Sequence, residues 1–302
     1  MGAHDSAGPE RDGGGAGAAG TAGLSLDVRG LGLRGPRGWA YRGVRVTAGA
    51  GALVAVVGPS GSGRTSLLLT LTGRMRPTEG TALVGGLVLP RRMAAVRRVS
   101  ALAHVPGVTD LDPALTVAEH LRERALLQRR FGDSVRGLLR PRRERARAAR
   151  QAIDRARDAA GLDPQSLPKG ARTAVRDLER VERLRLSVAL ALIGRPRLLG
   201  VDDVDLKLSP DERAEVWELL RSLTEDGTTV VAVCAEAPEG AVVASTRDQD
   251  DEHDEDDEHY ENREDPENHE DDEDDEDDED DEDDEDHEDE EDGDALVETG
   301  RS

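Results

Sequence analysis

The sequence predicts an α/β protein built on a mostly parallel sheet, with a helical region inserted in its middle and disordered segments at both ends. Three observations carry that expectation. Short apolar runs, "GALVAVV" at 51–57, "RLLGV" at 197–201 and "TTVVAVC" at 228–234, have the length and β-branched content of strands covered on both faces. Helical patterns separate these runs, and strands that alternate with helices pair in parallel through crossover connections. The first run passes directly into a glycine loop, "GPSGSGRTS" at 58–66, and then into a helix.

Residues 1–22 are rich in Gly and Ala and too poor in large apolar groups to offset chain entropy, so they read as a flexible leader. From Leu24 the character changes: "LSLDVRGLGL" alternates apolar and polar residues, as a half-buried strand does. After the glycine loop, "TSLLLTLTG" reads as a helix closed by Gly73, and "TALVGGLVL" returns to strand character around a turn. Thr116 and Glu119 form a capping box in front of "VAEHLRERALLQRRF", and Gly161 stops "RERARAARQAIDRARDAAG". A further helix runs through "RLRLSVALALIG", another is capped by Ser209 ahead of Pro210 and Glu212, and "TTVVAV" is read as the terminal strand. The expected organisation is a leader (1–22), a domain (23–245) with a helical part at about 110–190, and an acidic tail (246–302).

Charge divides the chain along the same lines. Residues 248–302 hold 37 Asp and Glu against Arg263 and Arg301, whereas the rest of the chain carries 28 acids and 38 Lys and Arg. The overall net charge of -25 therefore describes neither part. The run "EDDEDDEDDEDDEDDED" at 270–286 has no apolar group and reads as a self-repelling polyanion that is disordered. It admits three roles: a solubilising tail, an electrostatic partner for the arginines at 122–157, or a loose collector of divalent cations through its carboxylates and histidines. Cys234 is the single cysteine, which excludes an intrachain disulfide. No apolar run approaches the ~18 residues needed to span a bilayer, and the N-terminal stretch lacks the pattern of a signal peptide. A cytoplasmic protein, peripheral to a membrane only through a partner, is expected.

The loop matches the phosphate-binding pattern G-x-x-x-x-G-K-[ST] at every fixed position except one, where Arg64 replaces lysine. Gly58, Gly61 and Gly63 allow a tight backbone and close approach of phosphate, while loop amides and the helix amino end present free N–H groups. Arg64 stands where a cation reaches the outer phosphates, and Thr65 where a hydroxyl ligates Mg2+. Arginine is a planar fork that binds phosphate oxygens in pairs, whereas lysine is a compact charge, so binding is expected to survive the exchange more readily than fast hydrolysis.

The order "GPSGSGRTSLLLTLTGRMRPTEGTALVGG", then "LTVAEHL", then "RLRLSVALALIGRPRLLGVDD" resembles the nucleotide-binding subunit of ATP-binding cassette (ABC) transporters over roughly residues 24–240. The resemblance implies a P-loop NTPase fold of ABC type, with ATP and Mg2+ as cofactors. Gly58, Pro59, Ser60, Gly61, Ser62, Gly63, Arg64, Thr65 and Ser66 would cradle the triphosphate. Asp202 would join Thr65 in organising Mg2+, and Asp203 falls where the family has its catalytic glutamate; a strand-end cap is the plainer reading of both aspartates. Aspartate keeps the carboxylate but is one methylene shorter, and a misplacement of about an ångström can cost ~100-fold in rate.

Other family landmarks are altered. In place of the signature loop LSGGQ stands "LERVE" (178–182), which reads as an ordinary helix start. His104 or Gly107 stands near the expected glutamine, Ala235 replaces the expected histidine, and Ser209 replaces the next loop's aspartate. Trp39 and Tyr41 are candidates to stack on adenine or to pack in the core. The resemblance implies a separately encoded membrane protein (a permease) as partner and a homo- or heterodimer formed through the nucleotide sites. The arginine helices at 122–157 read first as a solvated face and second, as the resemblance implies, as a contact for the membrane subunit; nucleic acid is the third reading, and the scarcity of aromatics argues against it. An alternative in another class is a non-hydrolysing, nucleotide-dependent switch whose acidic tail recruits partners.

Overall fold

Five parallel strands make the central sheet: β3 (Leu53–Val57), β6 (Ser100–Ala103), β7 (Leu198–Val201), β8 (Thr229–Val233) and β9 (Val242–Ser245), in the order β6-β7-β8-β3-β9. The computed structural model describes residues 23–131 and 141–247. These belong to a unit spanning Met1–Glu258; a second unit, His259–Ser302, the glycine leader and the acidic run lie outside the described residues.

The central strands are apolar throughout because both of their faces are covered. Leu53, Ala55, Leu199, Val201, Val230 and Ala232 enter one buried cluster, while Val54, Val56, Leu198, Val231 and Val233 enter the other. Successive side chains point to opposite faces, so each strand divides its residues between the two cores.

The second core is closed by α1 (Arg64–Leu71), which buries Leu67, Leu68 and Leu71, and by a separate antiparallel sheet. That sheet comprises β1 (Leu26–Gly35), β2 (Gly38–Ala48), β4 (Glu79–Val84) and β5 (Leu87–Leu89), ordered β2-β1-β4-β5. The short helix α2 (Met93–Val99) leads from it into β6. The sequence reading carried no strand for residues 38–48, whose arginines and glycines interrupt the alternation; pairing with β1, Val46 opposite Val28 and Val44 opposite Leu31, supplies the missing order.

The helical part comprises α3 (Val117–Phe131), α4 (Arg142–Ala159) and α5 (Arg180–Leu192), and α6 (Pro210–Glu225) follows β7. The start and stop signals behave as the sequence reading had them. The Thr116 amide donates to Glu119 Oε2 at 2.8 Å, Gly161 adopts φ 58° after α4, and Ser209 Oγ accepts from the Glu212 amide at 3.2 Å. On α4, Ala156 is buried and Ile153 packs beside it, while Arg142, Arg143, Arg147, Arg150 and Arg155 are exposed, the pattern of a solvated face.

Two differences fall at the carboxyl end. "TTVVAV" is not the terminal strand, because β9 follows it and pairs with β3, Val56 opposite Ala244. Thr246, assigned from sequence to the tail, is buried at 5% exposure and its amide donates to the Val57 carbonyl at 2.9 Å. A four-residue strand next to a run of acids carries too little local signal; its pairing with the central strand creates it.

Candidate nucleotide site

Strand β3 is flanked by β8 and β9, and its carboxyl end delivers Gly58 to the tip of the sheet. Ligand sites in open parallel sheets form at such strand ends. Two glycines are required there by geometry. Gly58 has φ 154°, and a Cβ on it would strike Thr246 Oγ1 and Ser62 Oγ; Gly63 has φ 79°, and a Cβ there would strike the Ala40 carbonyl. Ser62 Oγ is hydrogen-bonded to Thr246 Oγ1, and the Ser62 amide closes the loop onto the Pro59 carbonyl at 3.2 Å. Pro59, Ser60 and Gly61 are exposed at the loop's crest.

Helix α1 begins at Arg64 with Gly63 as its N-cap in the left-handed region and with no side-chain cap. The amides of its first turn therefore have no partner within the helix, and with the positive end of the helix dipole they present an electropositive end that could hold an anion. Thr65 and Ser66 are half-buried on that turn. Thr65 Oγ1 donates to Asp202 Oδ2 at 2.8 Å, joining the loop to the end of β7.

Asp202 is 1% exposed, and burial pushes its carboxyl above the ordinary range, partly opposed by the Thr65 hydrogen bond. Its Oδ1 accepts the Asp203 amide at 3.1 Å. Among the described residues no three His, Cys, Asp or Glu gather into a metal cluster, so a cation here would need phosphate oxygens besides Thr65 and Asp202. That donor set, all hard oxygen, fits Mg2+ bound together with phosphate rather than alone.

Asp203 is half-buried and takes φ 46°; His104, at the end of neighbouring β6, takes φ 53°. Left-handed backbone at two non-glycine residues on adjacent strand ends marks a place held by its surroundings. The His104 amide donates to Ser187 Oγ at 2.6 Å, and burial lowers the pKa of its ring, with Asp203 acting in the opposite direction. Gly107 lies further along the loop in left-handed conformation, its amide bonded to Asp110 Oδ2 at 3.0 Å.

Arg64 Nη1 donates to the Cys234 carbonyl at 2.8 Å, at the exit of β8. Next to it, Asp205 Oδ2 accepts the Ala235 amide at 2.8 Å, so a carboxylate holds the turn where the resemblance implied a histidine. At "LERVE", Glu179 N-caps α5 and Glu182 completes the capping box, as the plain helix-start reading requires. Tyr41 is 2% exposed, donates to Thr70 Oγ1 at 2.7 Å and is pushed up to about 12 by burial; it is a core residue. Trp39 is half-buried, with the Arg42 guanidinium 4.8 Å and that of Arg34 5.6 Å from its ring centre. Sequence reasoning missed Asp205, Thr246 and the Cys234 carbonyl. None carries a local signal, since each acquires its contact through strand pairing.

The family model described as "ABC transporter" matches residues 41–205. The chain belongs to the ABC transporter family. Nod factor export ATP-binding protein I of Cupriavidus metallidurans is 34% identical to it over 177 residues, covering 58% of this chain and 51% of that one. Ribose import ATP-binding protein RbsA 1 of Rubrobacter xylanophilus is 31% identical over 218 residues, covering 72% of this chain and 40% of that one. The chain thus spans about half or less of these curated relatives. Among solved structures, CbiO1 from Clostridium perfringens, part of the ABC transporter complex CbiONQ, shares the fold at TM-score 0.56 and 19% identity, over 71% of this chain and 79% of that one. The ATP-binding cassette MJ0796 bound to ADP and Pi shares it at TM-score 0.53 and 22% identity, over 70% of this chain and 88% of that one. The chain therefore has the P-loop NTPase fold of an ABC cassette. Among its described residues no helix is long and apolar enough to cross a membrane.

Proposed function

We propose that this ABC domain binds Mg-ATP in the loop Gly58–Ser66 and couples binding, with slow or no hydrolysis, to a separately encoded membrane protein. The observation that carries the reading is the Thr65–Asp202 hydrogen bond lying under the uncapped first turn of α1. The loop amides and α1 amino end would bind the triphosphate, and the Arg64 fork would reach its outer oxygens after leaving Cys234. Bound with the nucleotide, Mg2+ would neutralise phosphate charge and orient the reacting groups. Asp203 would be the base, one methylene shorter than the family's glutamate, and its constrained backbone gives it little freedom to compensate.

In this reading residues 23–245, extended to Thr246, form the nucleotide-binding domain, and the helical part at about 110–190 meets the membrane partner. Val108 and Leu127, exposed at 52% and 44%, line the groove between that part and the sheet together with Asp110, Asp112, Glu123, Arg74 and Arg124, a mixed apolar and charged surface of the kind a protein partner covers. Two such domains would associate through their nucleotide sites, on the cytoplasmic side of a membrane. The exposed arginines of α4 lie outside the nucleotide site, and nucleic acid has no part in this scheme.

A second reading, a nucleotide-dependent switch without hydrolysis, is favoured by the Asp205–Ala235 contact and by Glu179 at the position of the signature loop. Glutamate facing a partner's triphosphate would repel it. Mg-ATP binding and phosphate release by the full chain test both readings, with Arg64→Ala and Asp203→Asn as controls. Release abolished in Asp203→Asn supports a motor; binding without release supports the switch; absence of binding overturns both.

A further inference from the structure

We propose a second anion site on this domain, separate from the nucleotide loop, formed by Arg74, Arg97, Arg98 and Arg124 and suited to a ligand with clustered phosphate groups. The four arginines line a cavity of about 700 Å³ between the exit of α1, the α2–β6 junction and the helical part, joined by Ser100 and Gln128. Among the described residues no Asp or Glu lines it. Among the described residues none of the ion pairs involves any of the four.

Three of the guanidiniums are held in place by neutral oxygens. Arg74 Nη1 donates to the Thr72 carbonyl at 2.8 Å and to Ser100 Oγ at 3.1 Å, Arg97 Nη1 to the Gly73 carbonyl at 2.8 Å, and Arg124 Nε to the Leu190 carbonyl at 3.3 Å. Burial, with Arg97 and Arg124 adding like charge, lowers Arg74 to about 10. Arg74 and Arg124 are half-buried while Arg97 and Arg98 are exposed, and cations gathered this closely repel one another, a cost that a bound multivalent anion offsets. Carboxylates do occur nearby, but Asp110, Asp112 and Glu123 line the adjoining groove, which shares Arg74 and Arg124 with this cavity.

The chemistry selects the ligand class. Guanidinium forks match phosphate oxygens in pairs, and the volume suits a small molecule or a headgroup. Among the described side chains no aromatic residue lines the cavity, so none of them offers a base a stacking partner. The phosphates could be supplied by a free polyphosphate or by an anionic lipid headgroup, which share this chemistry. The inference does not rest on the proposed nucleotide reading.

The test uses the full chain carrying Arg64→Ala, which removes the arginine of the nucleotide loop, with and without Arg98→Gln and Arg124→Gln. Titration calorimetry with inorganic tripolyphosphate reads the free-ligand source. Co-sedimentation with vesicles of phosphatidylcholine, with or without phosphatidylglycerol, reads the headgroup source. We expect the glutamine pair to weaken binding by about tenfold or more in at least one arm, with an unchanged circular dichroism spectrum and melt. If the glutamine pair fails to fold, Arg98→Lys with Arg124→Lys, which keeps charge but loses the fork, is expected to weaken the same arm. Equal binding by folded variants in both arms would overturn the site. Displacement of tripolyphosphate by hexaglutamate at equal concentration would overturn its phosphate character.

Discussion

Arg64 and Cys234 are 170 residues apart in sequence, yet Arg64 Nη1 donates to the Cys234 carbonyl across 2.8 Å. The arginine at the end of the glycine loop thus braces the exit of β8. Removing it leaves a buried carbonyl without that donor, so Arg64→Ala should lower the free energy of unfolding by about 1–2 kcal/mol. Urea denaturation of the two proteins measures this, and an unchanged midpoint would show that the contact contributes nothing to the fold.

Asp205 braces the same turn from the other side. It is 8% exposed, and its Oδ2 accepts the amides of Ala235 at 2.8 Å and Glu236 at 3.5 Å. Asp205→Ala strands these donors and should cost about 1–3 kcal/mol, with Asp205→Asn recovering part because one acceptor oxygen remains. Equal unfolding midpoints for the Ala and Asn variants would contradict the assignment.

The loop glycines separate backbone strain from steric conflict. Gly61 has φ 84° with nothing within reach of a Cβ, whereas Gly63 has φ 79° with the Ala40 carbonyl in the way. Gly61→Ala should cost only the left-handed penalty, about 1–2 kcal/mol. Gly63→Ala should cost more and displace β2 from α1, so its melting temperature should fall further; the reverse ranking would refute the geometry.

Cys234 is 1% exposed, and burial pushes its thiol up to about 12 from an ordinary 9.0, with Asp205 adding to the rise and Arg64 opposing it. A thiolate is the reactive form, so iodoacetamide at neutral pH should label the folded chain far more slowly than the urea-unfolded one. The folded-state value is the raised one. The stability associated with the protonated thiol is therefore fully present below about pH 9 and lost as pH rises through about 12. Cys234→Ala should flatten that alkaline loss, measured by unfolding midpoints between those two pH values.

Much of the domain is legible from neighbouring residues. The capping boxes at Thr116–Glu119 and Ser209–Glu212 are three-residue patterns, and the helix breaks at Gly73 and Gly161 rest on the same local steric rule. The apolar runs of β3, β7 and β8 declare strands buried on both faces. The loop 58–66 was likewise legible, because strand, glycines and helix adjoin one another in the chain.

The remaining features depend on which strands become neighbours. Pairing of β3 with β8 and β9 brings Arg64 to the Cys234 carbonyl and Thr246 to Ser62. Parallel pairing of β6 with β7 sets the loops of His104 and Asp203 side by side. The sequence by itself determined the fold class, the caps and the glycine loop, since each is decided by residues within a few positions of one another. Tertiary structure alone decided the partners of Arg64, Asp205 and Thr246 and the gathering of Arg74, Arg97, Arg98 and Arg124. Those contacts join distant parts of the chain, and sheet register and helix packing, to which every strand contributes, bring them within hydrogen-bonding reach.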